Sequence, residues 1–102
     1  MPAQLITHER QRLTDDVFKE AKIWRLPAPM AGCTHVYKYS LTLVFGGECV
    51  IRYDNERGKG DHKHIDGIET PIRFIDLATL FAEFHRDIHD WRQIHGHTDD
   101  SR

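Results

Sequence analysis

Cysteine is scarce in this sequence: Cys33 and Cys49 are the only two among 102 residues. Two thiols are too few for a disulfide framework and lack the paired spacing of a zinc site, so both are expected to stay reduced. Long apolar runs are missing as well. No stretch reaches the roughly 18 apolar residues of a membrane helix, and the opening MPAQLITHERQR is polar where a secretory signal needs a continuous apolar segment. The expectation is a cytoplasmic protein that makes no use of a membrane. Positive charge is not in excess either: 14 Lys and Arg stand against 16 Asp and Glu, a formal charge of −2. That balance argues against a protein that coats nucleic acid with a generally basic surface, because counterion release needs clustered cations. An anionic partner would have to be met locally. Internal repeats and low-complexity stretches are absent, and the length fits a single domain over residues 1–102 that buries about two-thirds of its unfolded surface.

What the sequence does hold is concentrated in residues 52–64, RYDNERGKGDHKH. An apolar strand pattern stops at Tyr53. Asp54 and Asn55 follow at the strand end, Gly58 and Gly60 permit backbone conformations that other residues resist, and His62, Lys63 and His64 come together afterwards. Four cations, Arg52, Arg57, Lys59 and Lys63, fall in this segment with Asp54, Glu56 and Asp61 interleaved. The patch is mixed in sign.

The rest of the chain reads as strands followed by a helix. Residues 3–13 form a weak, polar edge strand ending in the turn residues Thr14-Asp15-Asp16. Residues 17–26 fit a helix or a strand by periodicity, and the short connection before them with Pro27 beyond favours a strand paired with the first. Pro27, Pro29 and Gly32 make a loop. Residues 35–45 alternate, with Tyr37, Tyr39, Leu41, Leu43 and Phe45 on one face. Gly46-Gly47 is a two-residue hairpin signal, and ECVIRYD is its return strand. A tight turn there sets Phe45 against Glu48, Leu43 against Val50, Leu41 against Arg52 and Tyr39 against Asp54. Tyr39, Arg52 and Asp54 would then share a face, a grouping that a one-residue slip undoes. Asp76 can cap a helix carrying Leu77, Leu80, Phe81, Phe84, Ile88 and Trp91 at three- and four-residue spacing, with Gly96 able to end it near His95. The expected fold is α+β: an antiparallel meander of about four strands, one long C-terminal helix packed on the sheet, and a loose tail over 96–102.

Two positions apart in an extended segment, His62 and His64 project the same way and Lys63 the opposite way. Imidazoles that titrate near neutrality suit an acid–base pair, one taking a proton from a ribose 2′-hydroxyl while another group returns one to the leaving oxygen. Lys63, Arg52 or Arg57 would stabilise the phosphate charge and Asp54 would orient a histidine. Arg52, Tyr53, Asn55, Arg57, Lys59 and Tyr39 are the candidate substrate contacts. The competing chemistry puts His62 and His64 on zinc or manganese with Asp54 or Asp61, His85 and His89 being distant donors. The blander reading is a solvated loop, with Asn55 building a turn and the tyrosines in the core. Gly58-x-Gly60 lacks the glycine fingerprint of a nucleotide loop.

From Trp24 to Phe84 the chain resembles the TumE family, toxins of bacterial type II toxin–antitoxin pairs. The likeness rests on Trp24-Arg25-Leu26-Pro27, on Tyr37-Lys38-Tyr39, on the run from Tyr53 to His62 with His64, and on Pro71-Ile72-Arg73-Phe74. It implies a growth-inhibiting protein neutralised by a cognate antitoxin. Joined to the dense polar site, it leads us to expect an endoribonuclease that needs no metal or cofactor, with His62, His64, Asp54 and Lys63 as catalytic residues and RNA as substrate. The alternatives are a non-catalytic RNA-, nucleotide- or protein-binding module and metal-dependent phosphoryl or nucleotidyl transfer. Assembly into a homo-oligomer is left open.

Overall fold

The computed structural model describes residues 2–95. Six strands form one antiparallel sheet in chain order, β1 (Gln4–Thr14), β2 (Val17–Arg25), β3 (Tyr37–Phe45), β4 (Glu48–Glu56), β5 (Gly60–Ile65) and β6 (Ile68–Pro71), followed by α1 (Leu77–Ile94). The α+β meander is as expected, but it has six strands where about four were anticipated. The additional pair, β5 and β6, comes from the segment read as a site loop. Its polar residues are strand residues nonetheless, because the sheet supplies backbone partners whatever the side chains carry. Asp66 and Gly67, both with positive φ, make the two-residue turn that sets Ile65 against Ile68.

Alternation in β3 buries Tyr39, Leu41 and Leu43 completely, and Val17, Ala21 and Ile23 of β2 line up beside them. The helix closes this face. Leu80, Phe84, Ile88 and Trp91 are buried at three- and four-residue spacing, and Leu77 and Phe81 pack at the margin. Phe84 meets Tyr53 edge-on with ring centroids 5.6 Å apart, and Trp91 packs against Phe45. Asp76 starts the helix as expected: its carboxylate accepts the Thr79 N–H at 2.7 Å, and that bond holds the carboxyl below the usual range. His95 forms the C-terminal cap. Gly96 and the expected loose tail lie outside the described residues.

The hairpin β3–β4 departs from the expected register. Phe45 does pair with Glu48, but the ladder then shifts, and Leu43 pairs with Ile51, Thr42 with Arg52 and Leu41 with Tyr53. An extra residue in β4 puts Ile51, Tyr53 and Asn55 under the helix and turns Arg52 and Asp54 to the other face. The proposed grouping of Tyr39 with Arg52 and Asp54 is therefore wrong. Burying Arg52 and Asp54 against Leu41 and Tyr39 would strand two charges in the core, whereas the bulge puts the Tyr53 ring and the Asn55 amide at the same positions.

Candidate active site

Strand pairing assembles the site. Antiparallel neighbours share a face, so the pairs Asp54–His62 and Arg52–His64 bring four candidate side chains from β4 and β5 onto the face opposite α1. His62 is 2% exposed. Its Nδ1 lies 3.2 Å from the Gly60 carbonyl, which can only accept, so Nδ1 carries a proton and Nε2 is turned toward Asp54. Nε2 sits 2.7 Å from Asp54 Oδ1 and 3.6 Å from Glu56. Asp54 Oδ1 is buried yet accepts no aligned hydrogen bond, so its contact with His62 is an ion-pair distance and not a directed bond. The other Asp54 oxygen is 3.5 Å from Arg52 Nε. The His64 ring stands edge-on to His62 at 5.2 Å and is the more exposed of the two, with Glu69 of β6 3.8 Å away. One donor atom each from Asp54, His62 and His64 lies within 4.8 Å of the others, an N,N,O set that zinc or manganese would accept.

The remaining sequence candidates are elsewhere. Lys63 faces the helix and pairs with Asp87 at 3.0 Å, and the buried Tyr53 hydroxyl donates to the same carboxylate. Burial, then Asp87, pushes the Tyr53 hydroxyl far above its ordinary range. Lys63 therefore does not stand beside His62 and His64. Asn55 is fully buried and acts as a surrogate peptide group: its side chain accepts the Tyr39 N–H at 3.1 Å and donates to the Tyr37 carbonyl at 2.7 Å. Lys59, in the β4–β5 turn, is drawn 2.8 Å from Glu69, which raises its pKa, and Arg57 is exposed in the same turn.

Tyr39 belongs to a second polar cluster beneath the sheet. Its hydroxyl donates to Asp61 at 2.7 Å, and His35 Nε2 meets the same carboxylate oxygen at 2.7 Å while its ring stacks on Phe74. Cys33 is close enough to complete a Cys–His–Asp set. Chemistry argues against an ion there. The Tyr37 N–H points at His35 Nδ1, whereas a histidine ligating through Nε2 needs a proton on Nδ1 to donate outward. Burial raises the Cys33 thiol above its ordinary range, so in this network it stands as a thiol. This network is satisfied and structural. His35 was not singled out from the sequence, since it is 26 positions from Asp61 and no spacing rule joins them.

Residues 2–92 match the profile of the family described as toxin TumE. The chain belongs to the TumE toxin family. That match extends the resemblance seen between Trp24 and Phe84 over β1 and nearly all of α1. Membership in a toxin family implies a partner antitoxin for this TumE protein. No curated protein and no solved structure is detectably similar to the chain. No helix among the described residues is long and apolar enough to cross a membrane.

Proposed function

We propose that this TumE protein is an endoribonuclease, the toxic half of a type II toxin–antitoxin pair, with its site on the face of the sheet opposite α1. The observation that carries the reading is the convergence of Asp54, His62, His64 and Arg52 through strand register alone. His64 is the imidazole a substrate can touch. It accepts the ribose 2′-hydroxyl proton as the 2′-oxygen bonds to phosphorus, the bond from phosphorus to the 5′-oxygen breaks, and that oxygen takes a proton from water. Arg52, exposed beside it, stabilises the charge on the phosphate. His62 is too deeply buried to share the proton transfer and serves as a positioning residue that fixes Asp54 and the His64 ring.

One observation favours a second reading. The proton on His62 Nδ1 leaves Nε2 facing a buried carboxylate oxygen that has no aligned hydrogen bond, the arrangement a cation between them would satisfy. In that reading Asp54, His62 and His64 hold zinc or manganese, which would polarise the phosphate. Incubation of purified protein with cellular RNA, with and without chelator, separates the two. Cleavage that survives chelator and disappears in His64→Ala supports the acid–base mechanism, and cleavage lost to chelator and restored by one added metal supports the ion. Tight RNA binding without turnover removes the enzyme reading.

A further inference from the structure

One face of the sheet carries more basic than acidic side chains. In β1 the row His8, Arg10 and Arg12 alternates with Thr7, Glu9 and Gln11, and register carries the first row onto the face opposite the helix. Across that face β1 to β4 present Arg10, Arg12, Lys22, Lys38 and Arg52 against Glu20, Asp54 and Glu56. The helix, on the other side, is nearly balanced, with Glu83, Asp87 and Asp90 against Arg86 and Arg92. A formal charge of −2 for the chain thus conceals a sheet face with a positive excess. The helix contacts Lys19, Tyr53, Lys63 and Asp66, all from the buried side, and no element of the described residues lies across the basic face.

Two transverse rows connect the candidate site to the far edge. One runs His64, Arg52, Thr42, Glu20, Arg10, and the next runs His62, Asp54, Ser40, Lys22, His8. At the end of the first row the Arg10 guanidinium stacks on the Phe18 ring at 4.0 Å, and an open depression of about 530 Å³ there is lined by Arg10, Arg12 and Phe18, with Asp15 and Asp16 of the β1–β2 turn also on its wall. Cations for phosphate, the hydroxyls of Ser40 and Thr42 for sugar and base edges, and an aromatic platform for stacking are the three components of a single-strand track. We propose that the uncovered sheet face binds single-stranded RNA along these rows, from His64 at β5 to Arg10, Arg12 and Phe18 at β1 and β2, so that the toxin grips a segment and not one phosphodiester. Four strand spacings of ~4.8 Å span ~19 Å, room for about five nucleotides at the ~3.4 Å stacked rise.

The inference rests on RNA being the substrate, and its test keeps the two apart. His64→Ala protein, made silent for cleavage, is titrated with single-stranded oligonucleotides of two to ten residues at several salt concentrations. Affinity is expected to rise with length and level off near five or six nucleotides. Arg12→Glu should weaken decanucleotide binding about five-fold or more, while Arg86→Glu, the same charge change on the exposed side of the helix, should leave it unchanged. Binding that ignores length, or equal effects of the two reversals, overturns the track and leaves the RNA reading standing. No binding of any oligonucleotide by the silent protein sinks the RNA reading as well. Loss of antitoxin binding in Arg12→Glu with RNA affinity intact assigns the face to a protein partner and overturns the proposal.

Discussion

Gly60 lies against Gly32 so closely that a Cβ added at Gly60 would stand 2.9 Å from the Gly32 carbonyl oxygen. Together with the Gly58 N–H bonded to the Ala31 carbonyl at 2.6 Å, this contact docks the loop after β2 onto the β4–β5 turn. The docking brings Cys33 and His35 over Asp61. The two glycines should therefore respond differently to replacement. Gly58→Ala meets open space and costs only the ~1–2 kcal/mol of a left-handed backbone. Gly60→Ala has the same positive φ and must also displace a backbone carbonyl, so it should cost about 2 kcal/mol more. Equal denaturant midpoints for the two variants would show that the loop yields freely.

The burial difference between the histidines gives a second expectation. His64→Ala should relieve growth inhibition while leaving stability within about 0.5 kcal/mol, because its ring is partly exposed and its acidic neighbour is 3.8 Å away. His62→Ala should relieve it too, but at a stability cost of about 2 kcal/mol, since it removes a bond to Gly60 and leaves the buried Asp54 Oδ1 facing no cation, Arg52 being held by the other oxygen. Growth curves paired with urea melts test both. Undiminished toxicity in folded His64→Ala would take this residue out of the mechanism.

Phe84 is 1% exposed and packs edge-on against Tyr53. Phe84→Ala is expected to destabilise by about 3–5 kcal/mol and to lose activity through unfolding. A melting curve that overlays the wild type would mean that the helix is held by something other than this stripe.

His85 links α1 to β2: Lys19 Nζ donates to its Nε2 at 2.8 Å. Burial, then the Lys19 charge, lowers the His85 pKa in the folded protein. A lowered folded value means that the unfolded chain binds the proton more readily, so stability falls as pH drops through the ordinary histidine value of ~6.5 and stops falling below the folded value. His85→Gln should shrink the loss of melting temperature between pH 7.5 and pH 5.5. An unchanged loss would assign the acid sensitivity to other groups.

Those elements whose signals are local could be read before the structure. Alternation in β3, the Gly46-Gly47 turn and the helix from its Asp76 cap to Trp91 depend on neighbours in sequence, and each stands where expected. The strand β5 was hidden because His62, Lys63 and His64 look like loop composition, although Asp66-Gly67 is the same kind of hairpin signal as Gly46-Gly47. For the site, only the shared direction of His62 and His64 was legible from period-two geometry; their pairing with Asp54 and Arg52 depends on the β3–β4 bulge and on the β4–β5 ladder, neither of which is legible in the sequence. The placement of Lys63, Tyr39 and Asn55 was not legible either. It follows from which face the helix covers, and from Asp87 and Asp61, partners 24 and 22 positions away.

The bulge between Gly47 and Ile51 makes the location of the candidate site a question of odd and even. Every residue from Ile51 to Glu56 takes its side of the sheet from the number of residues between the turn and Leu43's partner. Deleting Val50 alone would send Arg52 and Asp54 toward the helix and expel Ile51, Tyr53 and Asn55. Removing or adding two residues there would instead restore the side of each. Length variation in this hairpin is thus counted in pairs: chains that differ by two can keep the candidate site, and chains that differ by one lose both it and their core in a single step.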